Sequence, residues 1–433
     1  MKTERLASRH LVLLGLGHTN AHILRMWGMN SIEDVDLTCI SDRSLASYSG
    51  MLPAVLAGQI PESAMQIDLV RLSASVGANL IVDRVTGIDR ERHEILLHEH
   101  PPVAYDALSI GVGSVPNMSG VKLTGEQGES RALLKIKPMQ SFLDRLRARL
   151  KLLSQTSDNQ PIRVAVVGSG VAGIEITFCL HSFFRQSGIE PESLELISRS
   201  QQLLTGETHA TRKRVETELA ELGCKTRLGR AVAEVADDGL VLEDGAAIDA
   251  NVIIWATGAS PPKILAKLGL PMDQQGFLAT GSDLRVPDPN RVDGGTAIFA
   301  VGDSGTIQGE DLPKAGVYAV RQGPILWKNI RKLLGKANNG DDLTLRRYRP
   351  QHDFLRLINL GDGRAIGQWK RWSFTGRWAY QLKNSIDSRF MAKFEPKVMQ
   401  HDSEPMQCRG CGCKLGAGLL DAAFENFAQQ DSI

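Results

Sequence analysis

Two stretches of the chain, about 150 residues apart, repeat one pattern, and the repeat restricts the fold more than any other feature. Leu11-Val12-Leu13-Leu14 leads into Gly15-Leu16-Gly17-His18-Thr19-Asn20 and a helix-like run through Ala21, Ile23, Leu24 and Met26. Val164-Ala165-Val166-Val167 leads into Gly168-Ser169-Gly170-Val171-Ala172-Gly173 and a second helix-like run over 174–180. A short continuous apolar run marks a strand buried on both faces of a parallel sheet. In G-x-G-x-x-G the first glycine permits a tight turn, the second lets backbone approach a pyrophosphate, and the third lets helix pack on strand. The helix start then offers unpaired N–H groups and partial positive charge to phosphates. One copy reads equally well as an ordinary turn. Two copies in the same strand–turn–helix setting predict two dinucleotide-binding units.

Further apolar runs halt at small or polar residues. Residues 35–40 end in Ser41-Asp42 and 194–197 in Ser198-Arg199, each placed as the second strand of a βαβ unit. Residues 105–110 end in Gly111-Val112-Gly113-Ser114, 252–255 in Ala256-Thr257-Gly258-Ala259, and 297–301 in Gly302-Asp303. Such endings suit strands that pass close beside a dinucleotide. Between the two units, residues 133–153 carry Phe142, Leu143, Leu146, Leu150 and Leu153 at helical spacing, and the polar stretch 154–160 reads as a hinge. A polar break at 336–342 opens a third region. The expected fold is α/β, with two Rossmann-like dinucleotide-binding domains and a C-terminal α+β cap.

Composition bounds the function. A chain of 433 residues exceeds one hydrophobic core. Lys+Arg 50 against Asp+Glu 49 leaves +1, so no whole-molecule field favours nucleic acid. No apolar run approaches the ~18 residues of a membrane-spanning helix. The basic start followed by Leu11 to Leu14 imitates a secretory signal, but Gly15, His18, Asn20 and His22 interrupt it, which predicts a cytoplasmic protein. Cys39, Cys179 and Cys224 are scattered, as in a reducing compartment, whereas Cys408, Cys411 and Cys413 crowd together. His10, His18 and His22 lack metal spacing and receive no role.

Over roughly residues 8–335 these motifs resemble the pyridine nucleotide–disulfide oxidoreductase superfamily, flavoproteins with two dinucleotide-binding domains. The resemblance implies FAD on the first motif, through Gly15, Gly17 and Asn20, with Ser41 or Asp42 at its ribose and Gly302-Asp303 at its ribityl–phosphate region. Pro53, Gly113 and Gly258 join the cofactor-binding set. NADPH or NADH is implied on Gly168, Gly170 and Gly173. Glu175, early in that helix, is either a carboxylate favoured by the helix dipole or a contact for the nicotinamide or flavin edge. Arg199 after Ser198 stands where a carboxylate would repel a 2′-phosphate, which tilts the expectation toward NADPH. Pro313-Lys314-Ala315-Gly316-Val317 reads as a helix start, which the resemblance aims at the flavin through Lys314, Ala315 and Gly316. No C-x-x-C or C-x₄-C pair stands between residues 1 and 400; Tyr48-Ser49-Gly50-Met51-Leu52-Pro53 occupies the place of one, arguing against disulfide chemistry in this core.

Residues 354–394 are similar to the C-terminal part of type II NADH dehydrogenases, through Asn359-Leu360-Gly361, Ala365-Ile366-Gly367 and Gly376-Arg377-Trp378-Ala379-Tyr380-Gln381-Leu382-Lys383. In those enzymes quinone is the acceptor and this part helps attach the protein to a membrane. By ungapped alignment, Val317 and Arg321 replace the glutamines lining their quinone site. Trp378, Leu382, Ile386, Phe390 and Phe394 form a helical stripe, interleaved with Arg377, Lys383, Arg389, Lys393 and Lys397. Two readings stand: a core or homodimer face, preferred here, or peripheral contact with the inner face of an anionic membrane.

In the tail, Gly410-Cys411-Gly412-Cys413-Lys414 resembles the nucleophile motif of selenide, water dikinases, which maps their essential Cys and Lys onto Cys411 and Lys414 as catalytic candidates. The chain then looks like a flavoprotein domain fused to the start of such a kinase, with too few residues after Lys414 to build an ATP site. A mobile thiol tail and a zinc knuckle with His401 are the other readings of the cluster. The expected function is an FAD-dependent NAD(P)H oxidoreductase serving a quinone or a small acceptor. The alternative is the redox module of a fused or separate kinase, acting on a selenium compound. Expected boundaries are 1–130 and 271–335 for the FAD domain, 131–160 for a connecting helix and hinge, 161–270 for the NAD(P) domain, 336–400 for the cap and 401–433 for the tail.

Overall fold

A computed structural model describes residues 9–125, 130–155, 161–287, 296–335 and 344–395. Two five-stranded parallel sheets form its frame. The first holds β1 (Arg9–Leu14), β2 (Val35–Ser41), β3 (Asn79–Val82), β4 (Ala107–Ile110) and, from far downstream, β10 (Ala297–Ala300), in the order β10-β4-β1-β2-β3. The second holds β5 (Leu133–Lys135), β6 (Arg163–Val167), β7 (Ser193–Ser198), β8 (Lys225–Leu228) and β9 (Val252–Trp255), in the order β5-β9-β6-β7-β8. In both, the strand entering the glycine turn has its successor on one side and a later strand on the other, which is the Rossmann arrangement.

The apolar runs explain the layers. Along β1, Leu11 and Leu13 join a core with Ile23 and Leu24 of α1 (His18–Met29), while Val12 and Leu14 join a second core with Leu265 and Phe277. Alternate side chains of one strand thus feed opposite faces of the sheet. The second sheet is covered on one face by α2 (Phe142–Gln155) and α3 (Val171–Gln186), with α4 (His209–Glu221) beside them. A short antiparallel sheet carrying Val232, Leu240 and Ile248 covers the other.

The first unit is interrupted by the second. Val115–Pro116 pairs antiparallel with Ala259–Ser260, where the chain crosses out and back. Leu265, Leu268 and Leu270 already belong to the core that holds Val12 and Leu14, so the chain has returned to the first unit before residue 270. Residues 133–135, expected within a helix, instead form the edge strand β5, with Leu133 opposite Ile253. Pro138 disfavours helix in the residue before it, and every helix-spaced apolar side chain lies beyond it. The cap contains β11 (Arg356–Asn359), β12 (Ala365–Trp369), β13 (Trp372–Gly376) and α6 (Arg377–Met391), and packs on α3 and α4. Among the described residues, no helix is long and apolar enough to cross a membrane.

Candidate active site at the junction of the units

At the C-terminal ends of the strands the backbone descends in steps. Gly15 N–H donates to Ile40 O (2.8 Å), Gly111 N–H to Leu14 O (2.7 Å) and Val301 N–H to Ile110 O (2.9 Å). The second sheet repeats this, with Gly168 N–H on Ile197 O (2.8 Å) and Ala256 N–H on Val167 O (2.9 Å). Each sheet therefore opens a crevice where its strand order reverses, the usual place for a ligand. Gly15 has φ +75°, and a Cβ there would lie 2.7 Å from the Gly111 carbonyl oxygen. Gly17 and Gly170 begin α1 and α3 without a side-chain cap, and Ala315 does the same for α5 (Gly316–Leu334). By contrast, Thr208 caps α4. The three uncapped starts keep N–H groups for a ligand's phosphates or ring carbonyls.

The motifs differ at their third position. A Cβ on Gly173 would fall 1.9 Å from Gly168 O, so α3 packs only because that atom is missing. Asn20 occupies the equivalent place in the first motif. Its Nδ2 donates to Gly15 O (2.7 Å) and Ser109 O (3.1 Å), and Ser109 Oγ donates to its Oδ1 (2.6 Å). Room for the amide comes from Gly111, whose Cβ would sit 2.8 Å from Asn20 Nδ2; the second sheet has Ala256 at that register. Asn20, expected among the cofactor-binding residues, commits its buried side chain to the turn itself.

The ribose candidates are less uniform. Ser41 ends β2, its Oγ accepting from Arg43 N–H (3.4 Å), and Asp42 is exposed 4.0 Å from Arg43. Ser198 Oγ is buried, accepting from Ser169 Oγ (2.7 Å) and Ser200 N–H (3.1 Å), while Arg199 beside it is exposed. Gly258 O accepts from Asn117 N–H (2.7 Å) at the crossover. Pro53 is buried in the short helix Leu52–Leu56, which packs on α3.

Between the crevices, Gly113 N–H donates to Ser304 Oγ (2.9 Å), and Ser114 Oγ donates to Asp303 Oδ2 (2.6 Å). Lys137 Nζ completes the group, 2.7 Å from Ser114 Oγ and 3.3 Å from Asp303. Sequence reasoning missed Lys137; its only signal was a lysine before Pro138, on the segment joining β5 to α2. Gly302 N–H donates to Gln322 Oε1 (2.7 Å). Lys314 Nζ binds Gly305 O (2.7 Å) and Thr306 Oγ1 (2.8 Å) over the Phe277 ring, and burial lowers its pKa to about 8. His18, given no role from sequence, lies next to Gly316. Its Nε2 has neither solvent contact nor a hydrogen-bond partner, and burial lowers its pKa to about 4. Uncapped helix starts, glycine-lined backbone and an orphaned ring nitrogen together fit a dinucleotide cofactor.

Behind this group lies a buried charged cluster. Glu175 on α3 accepts from Asn359 N–H (2.8 Å) and lies 3.9 Å from Lys383 Nζ of α6. Lys383 also donates to Gly50 O (3.0 Å) and Asp387 Oδ2 (3.2 Å), and Tyr48 OH donates to Asp387 Oδ1 (3.0 Å). Burial raises the Glu175 pKa, with Lys383 opposing. Burial works against the charge on Lys383, yet Glu175 and Asp387 hold its pKa above the usual value. Lys383, expected on an exposed basic face, is therefore interior, because α6 turns it toward these carboxylates. The apolar stripe divides likewise: Trp378 (54 %), Leu382 (38 %) and Ile386 (45 %) are exposed, whereas Phe394 (4 %) is buried. A core reading thus holds only for the C-terminal end of the stripe.

Cys39, Cys179 and Cys224 are buried free thiols, each with its pKa pushed up by burial. No dithiol faces either crevice among the described residues, and none of their His, Cys, Asp and Glu side chains group to hold a metal. Cys408, Cys411, Cys413 and Lys414 lie outside the described residues.

Residues 11–323 match the family of pyridine nucleotide-disulphide oxidoreductases. Among similar proteins, the "NADH dehydrogenase-like protein YutJ" of Bacillus subtilis is 24% identical over 383 residues, spanning 87% of this chain and 97% of its own. The "Demethylphylloquinone reductase NdbB" of Synechocystis is 26% identical over 305 residues, 66% of this chain and 69% of its own. In fold, the chain resembles NDH2 from Plasmodium falciparum, solved in complex with NADH, at a TM-score of 0.73 and 16% identity, covering 89% of this chain and 97% of that one. It also resembles the sulfide:quinone oxidoreductase from Aquifex aeolicus, at a TM-score of 0.71 and 18% identity over 89% and 91% of the two chains. With its two crevices and this match over most of its length, the chain belongs to the pyridine nucleotide-disulphide oxidoreductase family.

Proposed function

We propose that the protein holds FAD in the first crevice and NADH or NADPH in the second, and passes reducing equivalents from the nicotinamide to a quinone. What carries this reading is the pair of equivalent glycine crevices with uncapped helix starts, opening on one junction. When bound, FAD supplies the hydride acceptor and the capacity to release electrons singly or in pairs. The chain's own residues bind and orient. The start of α5 presents partial positive charge, which favours negative charge on whatever ring it meets. Asp303, held by Ser114 and Lys137, keeps its carboxylate placed to accept from a ligand hydroxyl. Glu175, Lys383 and Asp387 form a two-carboxylate, one-ammonium cluster that can hold an additional proton close to the junction.

Quinone is favoured by the names of relatives, NdbB above and an "Internal alternative NAD(P)H-ubiquinone oxidoreductase A1" of Arabidopsis thaliana. Half-buried Val317 and exposed Arg321 mark where an acceptor site would differ from a glutamine-lined one. Anaerobic titration with NADH and with NADPH is the test. A flavin spectrum that bleaches, then recovers on adding a soluble quinone, supports the reading. Colourless protein that takes up no FAD overturns it.

The alternative, a redox module of a selenide, water dikinase, rests on Gly410-Cys411-Gly412-Cys413-Lys414 alone, and none of the relatives named above bears such a name. An open frame encoding an ATP-binding kinase directly downstream would favour it; its absence would remove it.

A further inference from the structure

We propose that His18 is a cofactor-positioning residue, whose neutral imidazole makes a hydrogen bond through Nε2 to bound FAD where the starts of α1 and α5 meet. The proposal rests on the first crevice being the FAD site. His18 is the first residue of α1, directly after the Gly17 turn. Its ring packs in a three-ring cluster with Tyr48, at 5.1 Å between centroids and tilted, and Phe390 of the cap, stacked at 5.8 Å, which are themselves 4.7 Å apart. A Cβ on Gly316 would lie 3.7 Å from Nε2, so the nitrogen faces the uncapped start of α5.

Three observations converge on a ligand. First, His18 is half-buried as a residue, yet its Nε2 is sealed from water and unpaired. Buried polar atoms in folded proteins are nearly all satisfied, so an orphan between two uncapped helix starts is one that a ligand completes. Second, aromatic packing from two separate regions fixes the ring plane, which is what a directional contact requires. Third, the nearby charges oppose one another, Asp303 favouring the charged ring and Lys137 disfavouring it, and burial decides for the neutral form. A neutral ring carries one donor and one acceptor nitrogen and adds no charge beside a reducible cofactor. The glycine motif asks nothing of this side chain, since phosphate binding uses the backbone.

Two variants test the proposal. His18→Phe keeps a ring packed on Tyr48 and Phe390 and deletes Nε2, whereas His18→Gln keeps a hydrogen-bonding group. In the purified holoprotein, His18→Phe is expected to raise the FAD dissociation constant about 3- to 30-fold. It should also shift the flavin absorption maxima and midpoint potential, with His18→Gln recovering part of both. After FAD is stripped, and at a pH above the titration range of histidine, wild type and His18→Phe should melt alike, so that the FAD-dependent rise in melting temperature is what shrinks. Wild-type affinity, spectrum and potential in His18→Phe would overturn the proposal. So would equal losses of stability with and without FAD, which reduce His18 to packing. Wild-type protein that binds no FAD overturns the functional reading instead, and is seen before any variant is made.

Discussion

Asn20 and Gly111 hold in the first unit the places that Gly173 and Ala256 hold in the second. Where the helix residue gains a side chain, the neighbouring strand end loses one. Gly173→Ala drives a methyl into the Gly168 carbonyl and should cost about 2–4 kcal/mol. Urea melts should show the loss, and NAD(P)H binding should weaken while the flavin spectrum persists. Asn20→Ala strands the Ser109 hydroxyl and two carbonyls, for about 1–3 kcal/mol. The glycines were legible in the sequence because spacing alone defines the turn. The amide clamp was not, because Ser109 lies 89 residues from Asn20. Arg199 follows the last residue of β7 and is exposed, free to meet a ligand at the end of that strand. Arg199→Glu should raise the KM for NADPH at least about tenfold while leaving NADH nearly unchanged. Equal effects on both nucleotides would discount a 2′-phosphate contact.

Helix α6 shows what periodicity reveals and what it conceals. Its period of about four is plain in the sequence, but the side that meets the core depends on partners contributed by α3 and by Tyr48, which no local pattern specifies. Lys383 on its inner side holds Glu175 and Asp387 together. Lys383→Met leaves two buried carboxylates unpaired and should cost about 3–5 kcal/mol, part of which Glu175→Gln should restore. Equal melting of wild type and Lys383→Met would show the cluster to be energetically idle. At the start of α1, the His18 pKa is about 4 in the folded chain against 6.5 when unfolded. Between these values the unfolded chain binds a proton that the folded chain refuses. Stability present above pH 6.5 is therefore lost as pH falls toward 4, by up to about 3 kcal/mol. His22 on the same helix is lowered to a similar value. His18→Phe should flatten part of the fall in melting temperature across that window, and an unchanged slope would count against the assignment.

At the scale of the whole molecule, the parallel sheets could be read from buried apolar runs, whereas β5 owes its pairing to β9, more than a hundred residues downstream. The cap leaves Trp369, Trp372, Trp378, Leu382 and Ile386 exposed, with Phe374 stacked on Trp378 at 4.6 Å and Lys370, Arg371 and Arg377 among them. If this face meets an anionic bilayer, Trp372→Ser with Trp378→Ser should abolish sedimentation with phosphatidylglycerol vesicles. Loss of a dimer in light scattering, with vesicle binding absent throughout, would assign the face to a second copy instead. The crossing at Val115–Pro116 and Ala259–Ser260 has another bearing, on how the chain is born. A ribosome delivers β1 to β4 long before β10, so the first sheet waits, lacking an edge strand, while every strand of the second has already emerged. Vectorial synthesis thus favours completing the inserted unit first, and a released chain truncated near residue 285 should protect β6 and β9 from protease while β1 is cleaved more readily than in the full chain.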